Sequence, residues 1–177
     1  RVKGFALAIK AFKRFSEGHP DALFNIVGSG PEESRLRKLI VQTGMRNKVK
    51  LVGNMPRELL LTEMAACDVF LFPSLRDGGG TVVVEAMAVG RPVVCLDIGG
   101  PGMHITDECG ISIAPSSQEE TVRRLAEALE RLYSNGELRS QLGNAGRERA
   151  KKYYHWSKLG DRLDEIYRQS LGEGRDD

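Results

Sequence analysis

Short apolar runs alternate with helical patterns along almost the whole of this chain of 177 residues. The apolar runs predict five strands, at 22–27, 49–52, 68–72, 92–96 and 111–114. Helical periodicity fills the segments between them and continues from 118 to 171. Such alternation predicts an α/β fold, a doubly wound parallel sheet with right-handed crossovers and helices on both faces. The length fits a single domain over residues 1–177.

Composition excludes several classes of protein. The 41% hydrophobic and 28% charged content is typical of a soluble globular chain, and a net charge of +2 is too small to indicate a nucleic-acid or membrane surface. No apolar run approaches the ~20 residues of a membrane span. The three cysteines form no CxxC pair, which predicts reduced, buried thiols in a cytosolic protein. The start at Arg1, without an initiator methionine, suggests a piece of a longer protein.

Glycine-rich turns follow the predicted strands. Parallel sheets bind ligands beyond the carboxyl ends of their strands, so the residues after each strand are candidates for a site. The first strand is followed by Gly28-Ser29-Gly30 and the second by Gly53-Asn54-Met55. After the third strand, Asp77-Gly78-Gly79-Gly80 leads into a helix. These turns predict a binding site at one edge of the sheet.

The helix after the third turn contains one carboxylate in an apolar segment, Thr81-Val82-Val83-Val84-Glu85-Ala86-Met87-Ala88-Val89. Because it is apolar all round apart from Glu85, we expect it to be buried. A buried carboxylate costs several kcal/mol unless it has a partner or faces a cleft. Two interpretations stay open: Glu85 binds ligand hydroxyls, or it forms a salt bridge with a buried arginine.

The glycine turn favours the first interpretation, in which Glu85 binds hydroxyl groups of a ligand. Gly78, Gly79 and Gly80 allow close approach of the backbone, and the helix they begin presents free amides and a partial positive charge to a phosphate. Glu85 lies about one and a half turns further along the helix, where it can accept hydrogen bonds from sugar or ribose hydroxyls. The glycine turn and Glu85 together predict binding of a nucleoside diphosphate or a nucleotide sugar.

At this point the chain resembles glycosyltransferase family 4, the "group 1" retaining enzymes with two Rossmann-like domains (GT-B architecture). The resemblance rests on the segment from Pro73-Ser74 through Asp77, Gly78-Gly79-Gly80 and Glu85 to Gly90-Arg91-Pro92. Asp77 stands where the family usually has glutamate. Further segments similar to the family are, in order, Lys3-Gly4-Phe5, Phe24 to Pro31 with Gly28 and Gly30, Leu51 to Met55, Leu96 to Gly102 as a loop, and Trp156 to Leu171.

The resemblance implies that the chain is the C-terminal, donor-binding half of such an enzyme. The first strand of the domain and the N-terminal acceptor domain would precede Arg1. The closing helix at 153–171 would pack toward that missing domain, and 172–177 would be a polar tail. The isolated chain would then be inactive or nearly so.

The resemblance also implies the roles of the site residues. Asp77 and Glu85 would be the catalytic pair, in the sense that they orient the substrate rather than act as acid and base. The residues that would bind the substrate are Lys3, Gly28, Gly30, Asn54, Met55, Gly78, Gly79, Gly80, Thr81, Val82 and Glu85. Lys3 and the amides of the turn would stabilise the departing diphosphate.

No cofactor or metal is expected, since there is no D-x-D sequence and the family generally works without a metal. The expected partners are a UDP- or GDP-linked hexose and, through the missing domain, a saccharide or lipid-linked acceptor. We expect no nucleic-acid partner and a cytoplasmic location, with possible association at the inner face of the membrane.

The Gly28-Ser29-Gly30 turn and the nucleotide-binding pattern also bear on competing functions. A nicotinamide oxidoreductase is disfavoured because no third glycine follows Gly28-Ser29-Gly30. A nucleotide-sugar epimerase and a non-catalytic nucleotide-sugar-binding module remain as alternatives. The histidines are poor catalytic candidates. We expect His19 in a loop and His155 packed among aromatic residues. His104 follows the loop at 99–102 and is expected in solvent, with a place near the donor sugar as the alternative. Arg123-Arg124 and Lys151-Lys152 are expected on solvated helix faces, and Arg76 borders the site.

Overall fold

A computed structural model describes residues 3–171, so the predicted tail at 172–177 lies outside the described residues. The strands are β1 (Phe24–Val27), β2 (Val49–Gly53), β3 (Phe70–Phe72), β4 (Val93–Leu96) and β5 (Gly110–Ile113). The helices are α1 (Phe5–Ser16), α2 (Glu33–Gln42), α3 (Arg57–Ala66), α4 (Thr81–Ala88), α5 (Gly99–His104), α6 (Gln118–Ser134), α7 (Gly136–Tyr154) and α8 (Trp156–Leu171). The predicted α/β class is confirmed, with every predicted strand present within about two residues of its expected ends.

The strands are parallel, but they form two sheets instead of the one continuous sheet that was predicted. β1 pairs with β2, and β3, β4 and β5 form a second sheet in that order. All four residues of the central strand β4 are fully buried, as expected for a parallel strand covered on both faces. Within residues 3–171, no ladder of hydrogen bonds joins the two sheets. Side-chain packing therefore has to connect them.

Helix α1 provides that connection. Ile9 and Phe12 pack with β1, β2 and α2, while Ala11 packs with β4, β5 and α6. These three side chains are at most 4% exposed, so the helix is buried on two sides. The resulting hydrophobic burial, on the order of 25 cal/mol per Å² of apolar surface, is the main force that holds the two sheets together.

Two elements differ from the prediction near the carboxyl ends of the strands. The segment after β4 was expected to be a loop, but residues 99–104 form the short helix α5. Helix α4 was expected to be buried all round; instead Val83, Ala86 and Met87 are buried and Thr81 is exposed. The exposed side of α4 faces away from α7 and the strands. Apolar composition overstated its burial because valine packs on a partly covered surface as well as in a core.

The last two helices differ in how they are packed. Helix α7 contributes buried Leu142 and Ala150 to the core, whereas α8 has no buried residue along its described length. Trp156 is 84% exposed and Tyr167 62% exposed. Packing of 153–171 against a further domain stays a prediction.

The structure bears on the predictions for the arginines of α6 and for the three cysteines. Arg123 and Arg124 lie on an exposed face of α6 and bond Glu120, which lowers the pKa of that carboxyl to about 2. Cys67, Cys95 and Cys109 are free, and Cys67 is only half-buried. Burial raises the pKa of the Cys95 thiol to about 12, which disfavours the reactive thiolate.

Among residues 3–171, no helix combines the length and apolar character needed to cross a membrane.

Two glycines of α7 give a matched test of its packing. A Cβ atom at Gly143 would overlap the carbonyl oxygen of Gly90, whereas one at Gly146 would make ordinary contacts of 3.5 Å or more. Alanine is the better helix former by about 1 kcal/mol. We expect Gly143→Ala to lower the free energy of unfolding by about 1–3 kcal/mol through overpacking. We expect Gly146→Ala to raise it slightly, and urea denaturation of both variants checks the pair. Equal effects would contradict this packing.

Candidate functional site

The candidate site lies where β3 ends. Pro73 and Ser74 are buried directly after the strand, and the chain then emerges at the glycine turn, residues 77–80. Gly4, with φ +67°, begins α1 against this segment, and a Cβ atom there would overlap the Pro73 carbonyl oxygen. This close backbone contact brings the neighbouring Lys3 beside the turn.

Asp77 organises the glycine turn through both of its carboxylate oxygens. Oδ1 accepts a hydrogen bond of 2.8 Å from the Gly80 amide, and Oδ2 lies 2.5 Å from Lys3 Nζ. The hydrogen bond from Lys3 is the main cause that holds the pKa of Asp77 below its ordinary value, and the Gly80 amide adds to it. The structure thus brings Lys3 and Asp77 together, although the expected roles placed them on the diphosphate and the sugar separately.

The turn is packed backbone to backbone against the start of α5. Gly100 N donates to Asp77 O at 3.0 Å. A Cβ atom on Gly100 would come within 2.8 Å of backbone atoms of Gly78, Gly79 and Gly80, and one on Gly80 within 2.8 Å of Pro101 N. Gly80 also has a left-handed φ of +59°. Glycine is therefore required in both segments by their mutual contact, a reason that was not foreseen from the sequence.

The two preceding glycines face open space. A Cβ atom at Gly78 would meet no atom within 4 Å, and one at Gly79 only the Thr81 hydroxyl at 3.6 Å. These positions leave the backbone accessible, and their contact with a ligand stays a prediction.

The free amides of the site differ from those expected. The Gly80 amide, assigned to the diphosphate, is bonded to Asp77, and the Gly80 carbonyl accepts from Val83 and Val84. Within the described part of the chain, the Thr81 and Val82 amides have no acceptor in hydrogen-bond range. The first turn of α4 therefore offers two unpaired N–H groups at the positive end of a helix.

Glu85 has a cationic partner, but this partner is not buried. Glu85 Oε1 lies 2.7 Å from Arg57 Nη2; the Glu85 side chain is 17% exposed and that of Arg57 71% exposed. The alternative of a buried arginine is therefore wrong, because the arginine that pairs with Glu85 is exposed. Arg57 begins α3, two residues after Met55, so the pair also brings the end of β2 toward α4.

The ends of β1 and β2 form a second exposed part of the same edge. Gly28 N donates to Gly53 O at 2.8 Å, and Asn54 Nδ2 donates to Ser29 Oγ at 2.9 Å. Gly28 and Gly30 are exposed and would meet no atom within 4 Å if given a Cβ atom. Met55 is half-buried beside them.

The predictions for the histidines were wrong in two cases. His104 is half-buried and bonds both Gly79 O, at 2.8 Å, and Tyr154 Oη, at 2.9 Å, so it is not a solvated loop residue. His155 is exposed and bonds Ser157 rather than packing among aromatic rings. His19 packs against Phe15 and Tyr133. Only the glycines around His104 signalled its position, because they indicate a close contact there.

The site is an open surface, not an enclosed pocket. Two concave cavities of about 300 and 410 Å³ lie elsewhere, beside Arg91 and Arg139 and beside Cys109 and Arg149. Charged side chains line both cavities, but neither lining includes the glycine turn, Glu85 or the first turn of α4. In the described segment 3–171, no group of three His, Cys, Asp or Glu side chains is placed to hold a metal.

The fold and this edge of the sheet define a Rossmann-like α/β domain with a glycine turn before a helix. The chain belongs to the family described as glycosyl transferases group 1, whose family profile matches residues 1–149. It is 33% identical over 171 residues to the GDP-mannose-dependent monoacylated alpha-(1-6)-phosphatidylinositol monomannoside mannosyltransferase of Corynebacterium glutamicum, covering 93% of this chain and 43% of that protein.

Solved structures agree on the fold. The sucrose-phosphate synthase of Thermosynechococcus elongatus superposes with a TM-score of 0.83 at 27% identity, over 98% of this chain and 44% of that one. The C-terminal domain of a group 1 glycosyl transferase from Francisella tularensis superposes with a TM-score of 0.76 at 22% identity, over 86% of this chain and 80% of that one. The chain thus has the fold of a C-terminal group 1 domain and spans less than half the length of its full-length relatives.

The Lys3–Asp77 pair predicts a change in titration. We expect Lys3→Gln to raise the pKa of Asp77 toward its ordinary value, because the largest cause of the depression is removed. A group with a depressed folded pKa stabilises the fold above its unfolded pKa, and this contribution is lost as pH falls through the folded pKa. Carbon-13 NMR titration of the carboxylates measures the midpoint. Lys10→Gln, on the adjoining helix α1, is the control, and an unchanged Asp77 midpoint in Lys3→Gln would contradict the pairing.

Proposed function

We propose that the chain is the donor domain of a retaining glycosyltransferase and that it binds a nucleoside diphosphate sugar, a UDP- or GDP-linked hexose, at the glycine turn. The observation that supports this most strongly is the pair of unpaired amides, Thr81 and Val82, at the start of α4 beside an open glycine backbone. Helix N-termini of this kind bind phosphate through free N–H groups and the helix dipole.

Lys3 adds a positive charge to the phosphate site. Its side chain is 52% exposed, and its ammonium group has three donors, of which Asp77 needs one. Lys3 can therefore donate to a phosphate oxygen while it remains bonded to Asp77. Asp77 fixes the turn and the lysine through its two carboxylate oxygens, and we propose that it thereby positions the donor sugar.

Glu85 holds the ribose hydroxyls in this proposal. Its bond to Arg57 is a partly exposed ion pair, and such pairs contribute about 0.2–1 kcal/mol. Two hydrogen bonds from hydroxyls to a carboxylate contribute more, since each bond to a charged group is worth about 1.5–3 kcal/mol. A nucleoside can thus displace Arg57 from Glu85. The exposed Gly28, Gly30 and Asn54 and the half-buried Met55 lie on the same edge, where the base would bind.

The domain's share in the reaction is electrostatic. The amides of α4 and Lys3 would stabilise the charge that develops on the leaving diphosphate, while Asp77 and Glu85 orient the donor. The acceptor, a saccharide or lipid-linked molecule, would be bound by another domain, so we expect the 177-residue chain alone to bind donor without transferring sugar. We propose that this chemistry needs no metal or other cofactor, and that the complete protein works in the cytoplasm or at the membrane's inner face.

The named relatives support a nucleotide-sugar donor. The Corynebacterium glutamicum enzyme is described as GDP-mannose-dependent, and it matches 93% of this chain. One observation favours a second candidate, a non-catalytic nucleotide-sugar-binding module: both carboxylate oxygens of Asp77 are already bonded within the protein. Turnover of the full-length protein separates the two candidates, since only the transferase releases nucleoside diphosphate with an acceptor present.

Calorimetric titration of the chain with GDP, UDP and their hexose derivatives tests the proposal. We expect a dissociation constant between micromolar and millimolar for one base. Glu85→Gln should weaken binding by roughly tenfold or more, because a neutral amide loses the charge-assisted bonds to the ribose. Glu63→Gln, on the neighbouring helix α3, is the control. Binding to Glu85→Gln as tight as to the unmodified chain, with Glu85→Ala merely less stable, would make Glu85 structural.

A further inference from the structure

The peptide group between Gly79 and Gly80 is held at both ends. Its carbonyl oxygen accepts a hydrogen bond from His104 Nε2 at 2.8 Å, and its amide donates to Asp77 Oδ1 at 2.8 Å. Because C=O and N–H of a trans peptide point in opposite directions, two partners on opposite sides fix the orientation of its plane. The next peptide, between Gly80 and Thr81, carries the Thr81 amide. Because Gly80 has a defined left-handed φ of +59°, holding the Gly79–Gly80 peptide helps to set the direction in which the Thr81 and Val82 amides point.

The tautomer of His104 follows from its partners. A carbonyl oxygen only accepts, so Nε2 must bear the proton that it donates to Gly79. In the neutral ring Nδ1 is then an acceptor, and the Tyr154 hydroxyl, 2.9 Å away, donates to it. The two rings meet edge to face, with centroids 4.9 Å apart and an interplanar angle of 79°.

Helix α7 also holds the backbone of His104. Arg149 Nε donates to the His104 carbonyl oxygen at 2.9 Å, and Tyr154 is the last residue of the same helix. The imidazole is therefore fixed from the α7 side at its ring and at its backbone, while its free edge faces the turn. His104 Cδ2 lies where a Cβ atom on Gly80 would meet it at 2.9 Å, so the ring also excludes any larger residue there.

We infer that His104, oriented by the Tyr154 hydroxyl, is a positioning residue of the donor site that holds the Gly79–Gly80 peptide in the orientation needed for diphosphate binding. The inference rests on the proposed donor site and adds a residue to it. His104 itself does not touch the ligand in this account. It acts through the carbonyl of Gly79, and it connects the turn to the junction of α7 and α8.

Three variants with matched neighbours test the inference. His104→Ala removes the donor to Gly79, His104→Gln replaces it with an amide N–H of similar reach, and Tyr154→Phe removes only the hydroxyl. The adjacent His155→Ala and Tyr153→Phe are the controls, because both residues are exposed and neither bonds the turn. Each protein is titrated with GDP and UDP, and hydrogen exchange of the Gly80 amide is followed by NMR without nucleotide.

We expect His104→Ala to weaken nucleotide binding about tenfold and Tyr154→Phe about threefold, the range that one lost hydrogen bond covers. His104→Gln should bind nucleotide with an affinity within about threefold of that of the unmodified chain. The two control variants should bind as tightly as the unmodified chain. The Gly80 amide should exchange faster in His104→Ala and regain protection in His104→Gln. If His104 had only a structural role, His104→Ala would lower the stability of the fold, and His104→Gln would not restore nucleotide binding and Gly80 protection.

Unchanged nucleotide binding and unchanged Gly80 exchange in His104→Ala would overturn the inference, as would a glutamine variant as defective as alanine. If the unmodified chain binds no nucleotide, the proposed function fails instead. In that case Gly80 exchange still decides whether His104 fixes the peptide. Should His104→Ala fail to fold, the glutamine and Tyr154→Phe variants supply the same comparison.

Discussion

The close backbone contact between the glycine turn, residues 77–80, and the start of α5 determines the rest of the site. Gly80 and Gly100 lie against each other with no room for a Cβ atom on either, and the Gly100 amide bonds the Asp77 carbonyl. This contact orients the first residues of α4 and leaves the Thr81 and Val82 amides unpaired. A more spacious turn would let these amides rotate or pair within the protein. The site is therefore rigid before any ligand arrives, which lowers the entropy cost of binding.

Two ion pairs supply the charges of the site, and the cation of each pair is exposed enough to move away from its carboxylate. Lys3 with Asp77 and Arg57 with Glu85 each join one exposed cation to one mostly buried carboxylate. The fold holds both carboxylates in place, whereas the cations can move toward a phosphate or into solvent. A fully buried pair would resist such an exchange, because separating it leaves an uncompensated charge. The exposure of the cations is thus what allows a neutral ribose to compete.

Much of the fold and the location of the site could be predicted from the sequence. The alternation of apolar runs and helical periodicity predicted all five strands, among them 92–96, which the structure shows as the buried strand β4. The family resemblance placed Asp77, the glycines and Glu85 in one site. Sequence could not show that Asp77 bonds Lys3 and Gly80, since this depends on how tightly Gly4 packs on Pro73. The sequence left His104 either in a solvated loop or near the donor sugar. Its bonds to the turn could not be predicted, because its orientation depends on Tyr154, fifty positions further along the chain.

A crystal structure of the chain with GDP or UDP tests the central claim most directly. The account predicts phosphate oxygens within hydrogen-bond distance of the Thr81 and Val82 amides and ribose hydroxyls on Glu85 in place of Arg57. Gly79 should remain bonded to His104. A diphosphate bound away from the first turn of α4, with Arg57 still on Glu85, would contradict it.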